Sequence, residues 1–168
     1  MASAHIAIAL LAITFIAAWI DARSGLIPNW LTLPVIASAP AAQLALGGTS
    51  SLVSSLLGAF ICSLVPLLMF RLGAMGGGDV KLLCGLGALA GPLAGLELQL
   101  LAYTVLVVFA LTVLALRGEL FAVLRRSWRL VRRVPPSQDS AEARTDFRLG
   151  IPIFVATAVT LALRDWPS

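Results

Sequence analysis

The sequence predicts an all-α polytopic membrane protein of about six transmembrane helices, with one arginine-rich amphipathic segment on the cytoplasmic side. Three observations predict it. Of the 168 residues, 60% are hydrophobic and 12% are charged, about half the ~25% charge of a soluble domain. The apolar residues gather in six runs of roughly membrane-crossing length. The cations gather on one side of the topology those runs define. A soluble enzyme of this size has nowhere to bury so much apolar surface. A mean hydropathy of +0.98 also excludes a disordered chain, which needs low hydrophobicity and high charge.

The runs are Ala2 to Ile20, Trp30 to Leu46, Leu52 to Phe70, Val80 to Leu96, Leu98 to Leu116 and Leu149 to Leu163. The first is expected to be a retained helix rather than a signal peptide, because no Lys or Arg precedes Arg23 to form a basic n-region. Ser24-Gly25 and Ile27-Pro28-Asn29 then describe a turn into the second run. The fourth and fifth runs are divided by little more than Glu97, which suggests a tight hairpin there. Gly87, Gly91 and Gly95 recur every four residues. On a helix they give a smooth stripe that another backbone can approach. The last run is the shortest and lies either across the membrane or in its interface.

With the N-terminus outside, Arg23, Arg71, Lys81, Arg117, Arg125, Arg126, Arg129, Arg132, Arg133, Arg144 and Arg148 fall inside, and Arg164 alone falls outside. The positive-inside rule therefore favours six helices with both ends outside. The whole of 1–168 reads as a single integral-membrane domain, with 117–148 as its basic cytoplasmic loop. Within that loop Leu120, Phe121, Leu124, Trp128 and Val131 fall on one side of a helix and the arginines on the other. Such a segment lies in the headgroup layer against anionic lipid. The net charge of +4 is thus assigned to membrane lipid, and no nucleic-acid partner is expected. Cys62 and Cys84 form no C-x-x-C pair and His5 is the single histidine, so no metal and no cofactor is expected.

The chain has eight acidic residues. Asp139, Glu142 and Asp146 belong to the polar linker, Glu119 starts the amphipathic segment, and Glu97 and Asp165 fall in outside loops. Asp21 and Asp79 remain, both where a helix meets the cytoplasmic face. Read alone, Asp79 is a helix N-cap after three glycines, and Asp21 is an interfacial residue paired with Arg23. Read together, they form a chemical pair. Two acids held close in a low dielectric share one proton. The ionised member draws a proton from water and the protonated member donates to the substrate. Helix dipoles predict Asp79 ionised at a helix N-terminus and Asp21 neutral at a C-terminus. Intramembrane acids also mark transporters, so a proton-coupled transporter and a non-catalytic membrane subunit of a pilus or secretion machine stand as alternatives.

Gly76-Gly77-Gly78-Asp79 with Lys81 reads G-x-G-D-x-K, and Asp21 is followed by Ile27-Pro28-Asn29. In this order and membrane setting, the pair of motifs resembles the type IV prepilin peptidases, intramembrane aspartic peptidases of bacteria. The resemblance covers about residues 1 to 116. It implies cleavage of a prepilin leader at the cytoplasmic face of the inner membrane, with prepilin or pseudopilin helices as substrates. It implies catalytic Asp21 and Asp79, with Gly76, Gly78, Lys81, Pro28 and Asn29 as motif residues that position them. A cation at Lys81 would favour an ionised Asp79. No paired C-x-x-C motifs occur here, and the compact form is similar to the peptidases of tight-adherence (Flp-type) pili, so peptidase activity without methylation is expected. Leu149-Gly150-Ile151-Pro152 loosely echoes the family's C-terminal signature. The oligomeric state is not indicated.

Overall fold

A computed structural model describes residues 2–116, 118 and 150–163. The arginine-rich segment, apart from Gly118, lies outside the described residues, as does Arg164. The described secondary structure is helical: α1 (Ala2–Ser24), α2 (Asn29–Arg71), α3 (Gly77–Ala90), α4 (Pro92–Leu116) and α5 (Gly150–Leu163). The chain divides into two compact units, Met1–Val105 with Arg148–Ser168, and Leu106–Phe147.

In the first unit α1 buries Leu10, Thr14, Ala17, Ala18 and Asp21 and leaves Ile8, Phe15 and Trp19 exposed. The buried set follows helical spacing. Thr14 sits in this apolar helix because its hydroxyl donates to the Leu10 carbonyl at 2.7 Å, which satisfies it without water. The buried face meets α5, which contributes Ile153, Ala156 and Thr157. Phe15 meets Phe154 edge-on with ring centroids 5.6 Å apart.

α2 has 43 residues. Straight, it would run about 65 Å, twice a ~30 Å hydrocarbon core. It breaks at Gly48, whose φ of 71° and ψ of −160° suit glycine alone. The two arms, 29–47 and 49–71, run in opposite directions along α3. In the first arm, Val35 and Ile36 meet Gly85, and the Gln43 amide donates to the Leu89 carbonyl at 2.6 Å. In the second arm the order is reversed, with Ser54 at Gly91, Gly58 at Gly87 and Phe70 at Gly77. The second and third sequence runs are therefore the arms of one hairpin.

The next turn departs from expectation. It falls at Gly91, and Glu97 lies inside α4. Gly91 takes φ 80°, and Pro92 opens the following helix at the position where a missing N–H costs nothing. The predicted glycine stripe is consequently split across two helices. Gly91 is the bend, and Gly95 folds back until a Cβ there would lie 3.0 Å from the Gly87 Cα. α3 is the central helix, with Leu82, Leu83, Gly85, Leu86, Gly87, Ala88 and Leu89 buried.

Among the described residues, three helices are long and apolar enough to cross a membrane: Ala4–Ser24, Asn29–Arg71 and Pro92–Val113. Their exposed faces are rich in Leu, Val and Phe, as lipid-facing surface requires. In the second unit α4 continues to Leu116, with Val107, Val108, Phe109 and Leu111 exposed and the Thr112 hydroxyl donating to the Val108 carbonyl at 2.8 Å.

This routing decides where the polar residues meet. Both ends of α2, the start of α3 and the end of α1 share one end of the first unit. There a Cβ on Gly78 would lie 2.7 Å from the Ile27 carbonyl oxygen, and Phe70 packs on Gly77.

Candidate active site

The connection from α1 to α2 is fixed by short-range hydrogen bonds. The Gly25 N–H donates to the Asp21 carbonyl at 2.9 Å. The Ser24 hydroxyl lies 2.9 Å from the Ile20 carbonyl and 3.1 Å from that of Leu26. Ile27 is buried. Pro28 is extended and caps α2, its carbonyl accepting from the Leu31 N–H at 3.2 Å. Asn29 opens α2 and accepts from Lys81 Nζ at 2.7 Å. Ile27-Pro28-Asn29 thus lies along the first turns of α3, one residue against Gly78 and another held by Lys81.

Gly76 caps α3 with an extended backbone, which makes Asp79 the third helical residue and not the N-cap. From there the Asp79 carboxylate turns back towards the Gly76 N–H, which favours its ionised form, in the manner of a capping box. The glycines matter here through close approach. A Cβ on Gly76 would stand 3.1 Å from Asp79 Oδ2, and one on Gly78 would collide with Ile27.

Asp79 lies ahead of the apolar run that starts at Val80. Its carboxyl is pushed from the ordinary 3.8 up to about 6. Burial is the main cause and the charge of Asp21 the second, against a lowering by the Gly76 N–H. Asp79 therefore holds its proton to higher pH than an ordinary carboxyl, against the expectation drawn from its helix dipole. A helix N-terminus stabilises an anion by at most about 1–2 kcal/mol, and here desolvation and a like charge outweigh it. Lys81, expected to add its charge in favour of the anion, is engaged by Asn29.

Asp21 is 4% exposed. Its Oδ2 accepts the Gly150 N–H at 2.9 Å, and Gly150 is the first residue of α5. Asp21 therefore sits at the C-terminus of one helix and the N-terminus of another. The second supplies a helix N-terminal N–H and its dipole, neither of which is visible from α1 alone. The expected pairing with Arg23 is replaced by other contacts, since the guanidinium lies 4.3 Å from the Trp19 ring centroid.

Gly150, noted in the sequence only as part of a loose C-terminal echo, is brought against Asp21. A Cβ there would lie 2.8 Å from the Asp21 Cβ and 3.0 Å from the Ala18 Cα. The signal was present: glycine followed by Ile151-Pro152 is a helix start, and a helix start offers N–H groups to an anion.

The structure thus brings Asp21 and Asp79 within electrostatic reach at one end of the first unit, where Gly76, Gly78, Pro28, Asn29 and Lys81 also lie. One carboxylate is held as an acceptor and the other keeps its proton to about pH 6. Such a pair can take a proton from water at one oxygen and give one at another.

Comparison with known proteins fits this geometry. The type IV leader peptidase family matches residues 8–116, from α1 to the end of α4 and across both aspartates. No curated protein and no solved structure matches the chain. On a match over more than half its length, the chain belongs to the type IV leader peptidase family and is a membrane peptidase of the prepilin-leader type.

Proposed function

We propose that this protein is an intramembrane aspartic endopeptidase that cleaves the leader of type IV prepilins, of the Flp-like type, at the cytoplasmic face of the bacterial inner membrane. The observation that carries the reading is the convergence of Asp21 and Asp79 from separate helices, with the charge of one felt by the other. The orientation follows from Arg23, Arg71 and Lys81, which all accompany the aspartates and belong on the cytoplasmic side. The prepilin type of substrate is supported by the family, and the Flp-like type by the resemblance to the compact peptidases of tight-adherence pili.

In this mechanism Asp21 is the base. Its carboxylate, steadied by the Gly150 N–H, takes a proton from water as the water oxygen bonds to the scissile carbonyl carbon. Asp79 is the acid and gives its proton to the carbonyl oxygen, so the tetrahedral intermediate forms as a neutral diol. On collapse the C–N bond breaks. One diol proton returns to Asp79, and the proton held on Asp21 passes to the leaving amine. The pair then stands again with one proton and an ionised Asp21. Each transfer of this kind is worth about 10²–10⁴ in rate.

The substrate would pack its apolar helix against the exposed faces in lipid, with its leader at the rim where the 72–76 turn lies. The test is co-expression, and then reconstitution in lipid, with a candidate prepilin. Wild type should shorten the pilin, while Asp21→Asn and Asp79→Asn should leave it full length yet insert and fold normally. Processing that survives both replacements would remove the aspartic mechanism.

A further inference from the structure

The α3–α4 hairpin sets one polar pair beside the aspartates that the mechanism above leaves unused. The bend at Gly91 lays Gly95 against Gly87. Continued four residues at a time, this antiparallel register puts Gln99 level with Leu83 and Tyr103 level with Asp79. Gln99 is 3% exposed, and its amide donates to the Tyr103 hydroxyl at 3.0 Å. The carbonyl end of that amide has no partner among the described residues. A polar side chain buried this far is costly unless its hydrogen bond is put to use. An electrostatic influence of Asp79 on the Tyr103 phenol agrees with that register. Since the phenol oxygen already accepts from Gln99, its own proton is directed to a different acceptor.

Resting on the peptidase reading, we infer that Tyr103 is a further catalytic residue, whose hydroxyl donates a hydrogen bond to the scissile carbonyl oxygen as charge builds there, with Gln99 as its positioning residue. The phenol keeps its proton throughout, and water, Asp21 and Asp79 carry the bond changes. A donor fixed before the reaction and shielded from bulk water stabilises the transition state more than the ground state. This effect belongs in kcat rather than KM.

The experiment uses the full chain in lipid vesicles with a prepilin substrate. Tyr103→Phe keeps the ring and removes the hydroxyl. Its kcat is expected to fall about 100-fold or more, with KM within about twofold. Gln99→Leu should lower kcat less, again at unchanged KM. Asp21→Asn and Asp79→Asn run alongside. If they are inactive and Tyr103→Phe keeps kcat within about twofold, the inference fails and the aspartate mechanism stands. If both Asn variants cleave, the aspartate mechanism fails and takes the inference with it.

A second measurement is independent of activity. The chain has one tyrosine, so 3-fluorotyrosine labels position 103 alone. Its ¹⁹F resonance should shift with a midpoint near about pH 6, following Asp79, and should lose that step in Asp79→Asn. Cys62, the other titratable side chain acting on the phenol, is a thiol and ordinarily titrates well above that midpoint. A resonance indifferent to Asp79 overturns the placement, however Tyr103→Phe behaves.

Discussion

Gly58, Gly87 and Gly95 meet where α2, α3 and α4 cross, whereas Gly78 and Gly150 lie at the aspartate end. A Cβ on any of the five meets another part of the chain. At the crossing the obstacles are the Gly58 carbonyl oxygen, 2.5 Å from a Cβ on Gly87, and the Cys62 sulfur, 2.7 Å from one on Gly95. At the aspartate end they are the Ile27 carbonyl and Asp21 itself. The first group lets helices touch, and a side chain there pushes apart whole helices. The second group places one loop and one carboxylate, and a side chain there displaces a reacting group while most of the packing is kept. The same residue type thus serves assembly in one region and geometry in the other, and rate and stability should separate the two.

The largest effect expected is on rate alone. Asp21→Asn and Asp79→Asn should each lower prepilin cleavage by at least about 100-fold, with little change in the unfolding midpoint in detergent. Gly150→Ala comes next. It crowds Asp21 Cβ and Oδ2 and should cost about 10- to 100-fold in rate, since small misplacements of a reacting group are costly. Gly87→Val should show the opposite pattern, a loss of about 1–3 kcal/mol or more from overpacking with the surviving folded fraction still cleaving. If Gly87→Val inactivates the folded fraction, or Gly150→Ala chiefly unfolds the protein, the distinction between the regions is lost.

The pH dependence sharpens the aspartate side. Asp79 keeps its proton to about 6 in the fold, against 3.8 ordinarily. The acid form needed by the mechanism is lost as pH rises through about 6, so the alkaline limb of kcat/KM should report this group. Linkage gives the same sign for stability. A raised native pKa contributes stability that is fully present below about 3.8 and lost as pH rises through about 6. Asp79→Asn should flatten that part of a stability profile. In Asp21→Asn the Asp79 midpoint should move down, because a like charge is gone, and carboxyl infrared bands can follow it. The smallest effect expected is from Lys81→Met. It removes the bond to Asn29 at an exposed position and should cost about 1 kcal/mol or less, with a several-fold fall in rate from a loosened 25–28 loop.

Much of this was legible beforehand. The apolar runs marked α1, both arms of α2 and α4, because lipid as a solvent leaves a compositional trace in every spanning segment. The motif residues were legible as well, since glycines beside a single acid in an apolar chain are conspicuous. The α3–α4 turn was misplaced because Glu97 looked like the natural interruption, although Gly91-Pro92 held the stronger backbone signal. The raised pKa of Asp79 is not legible from its own helix, whose dipole argues the other way. Burial of Asp79 and the N-terminus of α5 beside Asp21 come from elements distant in sequence.

The sequence by itself determined that this chain lives among lipids, that its helices are mostly apolar, and which two acids stand out. Composition and spacing are local properties, and they suffice for that. The tertiary structure decided that α2 doubles back at Gly48, that Gly95 closes on Gly87, and that the first N–H of α5 is given to Asp21. Those are contacts between segments far apart along the chain. They depend on which backbones can approach each other closely, and a linear pattern of residues carries no such distances.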